Sequence, residues 1–175
     1  MLQAFARAVE KTIKIRRATM RDIESVSSVL TEAAQWLRER GMPMWRNKEL
    51  TAERISSDVT AGQFFLAECA GEAVGIIKFE LQDTLFWPDI PADESVFVHR
   101  LAVRRQFAGG KLSELLLRWA VERGKSLGKR FLRLDCEASR PRLGAVYERF
   151  GFRRHSDRQV GPYFVSRYEY DLSQI

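Results

Sequence analysis

The stretch Glu94–Lys125, ESVFVHRLAVRRQFAGGKLSELLLRWAVERGK, changes its hydrophobic period midway. Its first part alternates: Phe97, His99, Leu101 and Val103 point one way, Val96, Val98 and Arg100 the other, as in a strand. A basic turn follows, from Arg104 to Gly110. The period then becomes helical, with Leu112, Leu115, Leu116, Trp119 and Ala120 on one face. A strand that passes through such a turn into a helix gathers unpaired backbone N–H groups at one point, which suits an anion such as a phosphate. Arg104, Arg105 and Lys111 add formal positive charge there.

Working outward, Thr12–Ala18 reads as a strand, preceded by a lead-in over residues 1–11. Thr19 caps a helix that carries Ile23, Val26, Leu30, Ala34 and Leu37 at helical spacing and ends near Gly41. An apolar loop, Gly41–Trp45, leads to a second helix over Thr51–Thr60, capped by Thr51. Phe64–Ala70 and Ala73–Leu81 read as a hairpin turned by Gly71-Glu72. Residues 83–93 form a loop containing Pro88 and Pro91. Beyond the central stretch come a strand over Phe131–Cys136 and a helix over Ser139–Phe150, with Leu143, Val146, Tyr147 and Phe150 on one face. Two last strands, Phe152–Val160 and Tyr163–Leu172, turn at Gly161-Pro162. The central helix must return the chain to a parallel strand by a right-handed crossover. The expected fold class is therefore α/β (α+β): a mixed, mostly antiparallel sheet with a central splayed parallel strand pair and helices on both faces.

At 175 residues the chain has the length of one domain, expected over 12–175. A hydrophobic content of 45% and a charged content of 30% are those of a soluble globular protein. No apolar run is long enough to span a membrane, and residues 1–11 lack the features of a secretion signal, so a cytoplasmic location is expected. Cys69 and Cys136 lie in apolar strands and read as buried thiols; with two histidines, they leave no metal cluster to propose. The net charge of +6 and pI of about 9.6 favour anionic ligands. The basic residues sit in short groups without interleaved aromatics, which ranks a nucleic-acid-binding domain last.

The strand, turn and helix resemble the pyrophosphate-binding region of the GNAT superfamily of acyl-CoA N-acetyltransferases. The family pattern, Arg/Gln-x-x-Gly-x-Gly/Ala, aligns with Ala108-Gly109-Gly110-Lys111-Leu112-Ser113. Ala108, Lys111 and Ser113 depart from the usual types. A second resemblance is Tyr147, three residues, then Gly151-Phe152 at the end of the last helix. Arg140 stands where the family often has Asn, and an arginine there suits a cofactor phosphate. The element order is similar to the GNAT fold from about Thr12 onward.

The resemblance implies acetyl-CoA as cosubstrate, with no metal, and transfer to a primary amine on a small molecule or peptide by direct attack on the thioester. Backbone groups of Leu101, Ala102 and Val103 would hold the pantetheine arm, and the turn Ala108–Ser113, with Gly109, Gly110, Lys111 and Leu112, the pyrophosphate. Tyr147 would protonate the departing thiolate; read alone, it is a core aromatic with its hydroxyl tied to a carbonyl. For the base, His99 and Glu94 are the candidates, and Asp135 a weaker third. Each has a plain alternative: a packed core imidazole, an exposed carboxylate, a partner for an arginine. Trp36, Met42, Met44, Trp45, Phe86 and Trp87 are candidates to line the acceptor pocket or to fill the core, and Asp89, Asp93 and Glu94 would favour a cationic amine. No nucleic-acid or membrane partner is expected; the edge of the C-terminal strands is where such folds form homodimers. A non-catalytic acyl-CoA-binding module of the same fold is the alternative that the altered turn keeps open.

Overall fold

The structure, a computed structural model, describes residues 13–109 and 111–173. The lead-in, Thr12 and Gly110 therefore lie outside the described residues. The strands are β1 (Lys14–Arg17), β2 (Phe64–Cys69), β3 (Glu72–Glu80), β4 (Ser95–Val103), β5 (Phe131–Glu137), β6 (Arg153–Val160) and β7 (Tyr163–Asp171). The helices are α1 (Ile23–Glu39), α2 (Ala52–Thr60), α3 (Leu112–Ser126) and α4 (Pro141–Phe150). Hydrogen bonding orders the strands β1-β2-β3-β4-β5-β7-β6. The pair β4–β5 is parallel, and β1–β2, β2–β3, β5–β7 and β6–β7 are antiparallel. The parallel ladder runs from Ser95↔Phe131 to Val98↔Leu134; β4 continues to Val103 and β5 to Glu137 beyond the last pair. The expected fold class is the one observed.

The chain forms two compact units. One runs to Lys78 and takes in Arg100–Leu117; the other comprises Phe79–His99 and the chain from Arg118 onward. In the first unit, Val26, Val29 and Leu30 of α1 and Ile55 and Val59 of α2 pack on Phe64, Leu66 and Ile76. Each such side chain contributes about 1.5–3 kcal/mol when removed from water. The opposite face of β3 meets α3: a Cβ on Gly75 would lie 3.2 Å from Leu116 and 3.3 Å from Val103. Helices therefore cover both faces of β3. Thr51 caps α2 as expected, its hydroxyl accepting the Arg54 N–H at 3.3 Å. A buried ion pair, Lys78 Nζ to Asp58 Oδ2 at 3.2 Å, ties α2 to β3.

In the second unit alternate residues of β4, β5 and β7 face opposite sides. On one side, Gly144 of α4 brings the helix backbone against Tyr168, too close for any side chain. On the other side Trp87, 1% exposed, lies 6.2 Å from the Phe97 ring, with Arg133 and Arg167 at 5.4 and 4.6 Å from its own ring. The aromatic loop residue Trp87 thus belongs to the core.

Four expectations change. The hairpin turn is Ala70-Gly71, one residue earlier than expected, with φ of 51° and 83°. A two-residue type I′ turn needs positive φ at both positions, and here alanine accepts it. Strict alternation along β4 is broken at Arg100, whose φ is 48°. Such a bulge re-aims the residues after it, so Leu101 and Val103 do not continue the face of Phe97 and His99. Val146, placed on the apolar face of α4, is 40% exposed; the face is narrower, carried by Gly144 and Tyr147. Of the cysteines, Cys136 is buried, its thiol pushed up to about 11 by burial, while Cys69 is half-buried.

Candidate active site

The loop between β3 and β4 is a built element. Asp83 Oδ1 accepts the N–H groups of Leu85 at 3.0 Å and Phe86 at 2.9 Å, folding the chain back on itself. Trp87 plugs the core beneath it. Asp89 then grips Arg167 of β7 in a fork, at 2.6 and 3.1 Å. The Arg167 guanidinium holds the Asp89 carboxyl down at about 2. Asp89, expected to attract a cationic amine, is instead paired with arginines, since Arg158 also reaches it.

What this loop carries is Asp83. Its Oδ2 lies 3.0 Å from Nε2 of His99, on β4. Asp135 of β5 approaches the other ring nitrogen, with Oδ1 at 3.7 Å from Nδ1, and Glu80 stands 3.7 Å from Nε2. The Phe86 ring packs on the imidazole at 6.0 Å between centroids. His99 is thus a largely buried imidazole, 16% exposed, among three carboxylates. Burial alone would lower its pKa; Asp83 foremost, then Asp135 and Glu80, reverse this and hold it above the usual histidine value. Burial acts against the Asp83 carboxyl too, but His99 and the Leu85 and Phe86 N–H groups keep it below the usual carboxylate range. For Asp135 burial outweighs the pull of His99, Arg167 and the Trp87 side chain, and its carboxyl is pushed up to about 6.

Asp135 and Cys136 are successive on β5 and turn to opposite faces. Asp135 meets His99; Cys136 faces Tyr147 of α4. The Tyr147 ring packs 6.0 Å from Phe152 and 5.9 Å from Tyr168. Burial raises its hydroxyl above the usual phenol pKa, with Cys136, Asp135 and Tyr168 adding to the shift. Among the described residues no hydrogen bond ties that hydroxyl to a carbonyl. The raised pKa keeps the phenol protonated at neutral pH.

The turn after β4 is held by α1. The Arg105 N–H donates to Glu32 Oε1 at 2.7 Å, and Arg104 reaches Glu32 Oε2 at 2.8 Å and the Ser28 hydroxyl at 2.9 Å. The Arg105 guanidinium stacks on Trp36 at 3.6 Å. The two arginines thus fix the turn to α1 instead of standing free as a basic rim. Gly109, at φ 75°, makes a left-handed step that a side chain would resist. The helix starts at Leu112, and the Leu115 N–H bonds the Lys111 carbonyl, so Leu112 and Ser113 present first-turn N–H groups.

Of the other expected site residues, Glu94 ends a 3-10 turn at the start of β4, exposed, five positions before His99. At about 3.3 Å per residue that is some 17 Å of strand, and the fold does not bring Glu94 to the imidazole. Arg140 precedes α4 and donates through Nε to Glu137 at 2.9 Å. Asp83 and Glu80 were missed by sequence reasoning. An Asx-turn signature at Asp83 was legible, but not its reach to a residue on the next strand. Contrary to the expectation of no metal cluster, Asp83, His99 and Asp135 each offer a ligand atom within 4.8 Å of the others. The two carboxylates lie at opposite ring nitrogens, an arrangement that fits an imidazolium between two anions better than one shared ion. Among the described residues no helix is long and apolar enough to cross a membrane.

A mixed sheet with one parallel pair beyond a hairpin and a strand–turn–helix at its middle define the class of fold, α+β with helices on both faces. Residues 28–152 match the model of the acetyltransferase (GNAT) family, and the chain belongs to that family. It is 32% identical over 141 residues to the uncharacterized N-acetyltransferase YesJ of Bacillus subtilis strain 168, covering 77% of this chain and 78% of YesJ. It also resembles the crystal structure of a GNAT-family acetyltransferase from Listeria monocytogenes, with a TM-score of 0.75 and 26% identity, over 90% of this chain and 94% of that one. The PaiA N-acetyltransferase of Thermoplasma acidophilum, solved in complex with coenzyme A, shares the fold at a TM-score of 0.70 and 17% identity, over 90% and 99% of the two chains.

Proposed function

We propose that this protein transfers an acetyl group from acetyl-CoA to a primary amine, on a small molecule or a peptide, by direct attack of the amine on the thioester. The observation that carries the reading is the buried His99 between Asp83 and Asp135 in a member of an acetyltransferase family. The coenzyme A complex of the PaiA relative supports the cofactor. The pantetheine arm lies along the backbone of Leu101, Ala102 and Val103, as an added strand would. The pyrophosphate is held by N–H groups of the turn from Ala108 through Gly109, Gly110 and Lys111 to Leu112 and Ser113.

An alkylamine is protonated at neutral pH, with a pKa near ~10.4 for a lysine-like group. His99 removes that proton. The backbone N–H near Leu101 receives the oxyanion. Tyr147 protonates the thiolate as it leaves. Glu80, Asp83 and Asp135 give the surroundings of His99 a negative charge that favours an ammonium over a neutral or acidic acceptor.

The test is release of the coenzyme A thiol from acetyl-CoA across a panel of polyamines, amino acids, aminoglycosides and peptides. Release matched by acetylated amine is the expected result. Cofactor binding with no release for any amine would instead support the non-catalytic module.

A further inference from the structure

The two carboxylates at His99 stand at different distances from the two ring nitrogens. Asp83 approaches Nε2 at hydrogen-bond distance, 3.0 Å. Asp135 stands off Nδ1 at 3.7 Å, beyond hydrogen-bond range and too near for a bridging water. Asp83 is itself fixed, through its other oxygen, by the Leu85 and Phe86 N–H groups, and the loop that carries it is anchored by Trp87 and Asp89. Asp83 Oδ2 and Asp135 Oδ1 are both buried, and neither has a hydrogen bond of full geometry among the described residues, so the two differ in distance from the ring.

We propose that Asp83 is a positioning residue that holds neutral His99 with its proton on Nε2, so that Nδ1, beside Asp135, is the nitrogen that takes the proton of the acceptor amine. The inference rests on the reading of His99 as the base. The imidazole is oriented by a carboxylate, as the histidine of a serine-protease triad is, but with the roles of the two nitrogens exchanged. Asp135 then faces the approaching ammonium and the imidazolium that forms.

The protons balance. The ammonium gives one to Nδ1, leaving a neutral amine and an imidazolium whose Nε2–H faces Asp83. The amine lone pair adds to the thioester carbonyl carbon. The C–S bond breaks with its electron pair on sulfur, and the thiolate takes a proton from Tyr147. The attacking nitrogen gives up a second proton, which restores Tyr147, and the first leaves Nδ1 for solvent. The charged groups facing His99 are Glu80 from β3, Asp83 from the loop and Asp135 from β5, with Arg167 of β7 acting on Asp135. Phe86 contributes only its apolar ring.

The experiment is an imidazole ¹⁵N spectrum of the whole protein across the neutral pH range. His99 and His155 are the chain's two histidines, so a His155→Gln protein assigns both signals. The expected neutral form of His99 has Nε2 protonated and Nδ1 bare. Asp83→Asn, which keeps the oxygen that accepts the loop N–H groups, should mix the tautomers and lower the midpoint. Asp135→Asn should lower the midpoint and leave the tautomer alone. Partners that orient a metal-bound histidine carry about 10–100-fold, and a loss of comparable size in kcat is expected for Asp83→Asn at neutral pH, with its pH–rate limb displaced downward. Wild-type protein with the proton on Nδ1 overturns the inference, as does an Asp83→Asn protein with unchanged tautomer and midpoint. Should Asp83→Asn fail to fold, the wild-type tautomer decides. The spectrum needs no amine, so a wrong tautomer overturns the inference alone. An unchanged pH–rate profile in His99→Gln overturns the base assignment beneath it.

Discussion

Replacing His99 with glutamine is expected to lower kcat by about 10²–10⁴-fold while leaving acetyl-CoA binding in place. Glutamine keeps a planar polar group in the space between Asp83 and Asp135 but cannot accept and release a proton at neutral pH. The pH dependence gives the prediction its sign. As the proposed base His99 would act only when neutral, and its folded pKa is raised by Asp83, Asp135 and Glu80 against the effect of burial. The rate of the wild-type enzyme should therefore climb with pH through a midpoint above the usual ~6.5 of histidine. In His99→Gln that limb should vanish, leaving a low rate governed by ionisation of the amine itself. A steady-state profile of kcat/KM over pH for both proteins checks this. An unchanged limb would remove His99 from the role.

Tyr147→Phe carries the second large effect. The ring packs on Phe152 and Tyr168, so phenylalanine preserves the contacts and removes only the hydroxyl. That hydroxyl has no hydrogen-bond partner among the described residues, so its loss leaves no buried group stranded and stability should hold within a few tenths of a kcal/mol. The cost should fall on kcat, by about 10²–10⁴-fold, with KM for acetyl-CoA nearly unchanged, because in the proposed mechanism its proton is needed as the thiolate departs. Single-turnover kinetics with thermal unfolding of both proteins separates the two quantities. Equal kcat would return Tyr147 to the role of a core aromatic.

The parts of the fold that were legible in the sequence are those where one element announces the next. The change of period at Arg104–Gly110 located the β4–turn–α3 unit. Tyr147 and Gly151 marked the end of α4, where Gly151 adopts φ 120°. What could not be read depends on distance along the chain or on a residue in an unexpected backbone state. Asp83 meets His99 across a loop, and Asp89 meets Arg167 across most of the second unit. No local pattern announces such pairs, since a carboxylate in a proline-containing loop reads as solvated. Arg100 takes a left-handed conformation at a cost of roughly 1–2 kcal/mol for an L-residue, with no glycine to announce the bulge. Its guanidinium bonds the Glu49 carbonyl at 2.8 Å, one of the contacts that hold it there. Arg104 and Arg105 read as formal positive charge at the turn, yet Glu32 and Trp36 on α1 engage them.

Calorimetric titration with acetyl-CoA, in parallel with thermal unfolding and at matched ionic strength, tests whether the turn after β4 binds the cofactor. Saturable binding of one acetyl-CoA per chain is expected, with a stabilisation of about 2.7 kcal/mol when the cofactor is at a hundred times Kd. Neither heat nor a shift at millimolar acetyl-CoA would mean that the turn at Gly109–Ser113 does not hold a pyrophosphate, and the assignment of an acetyl-CoA-dependent transferase would be wrong.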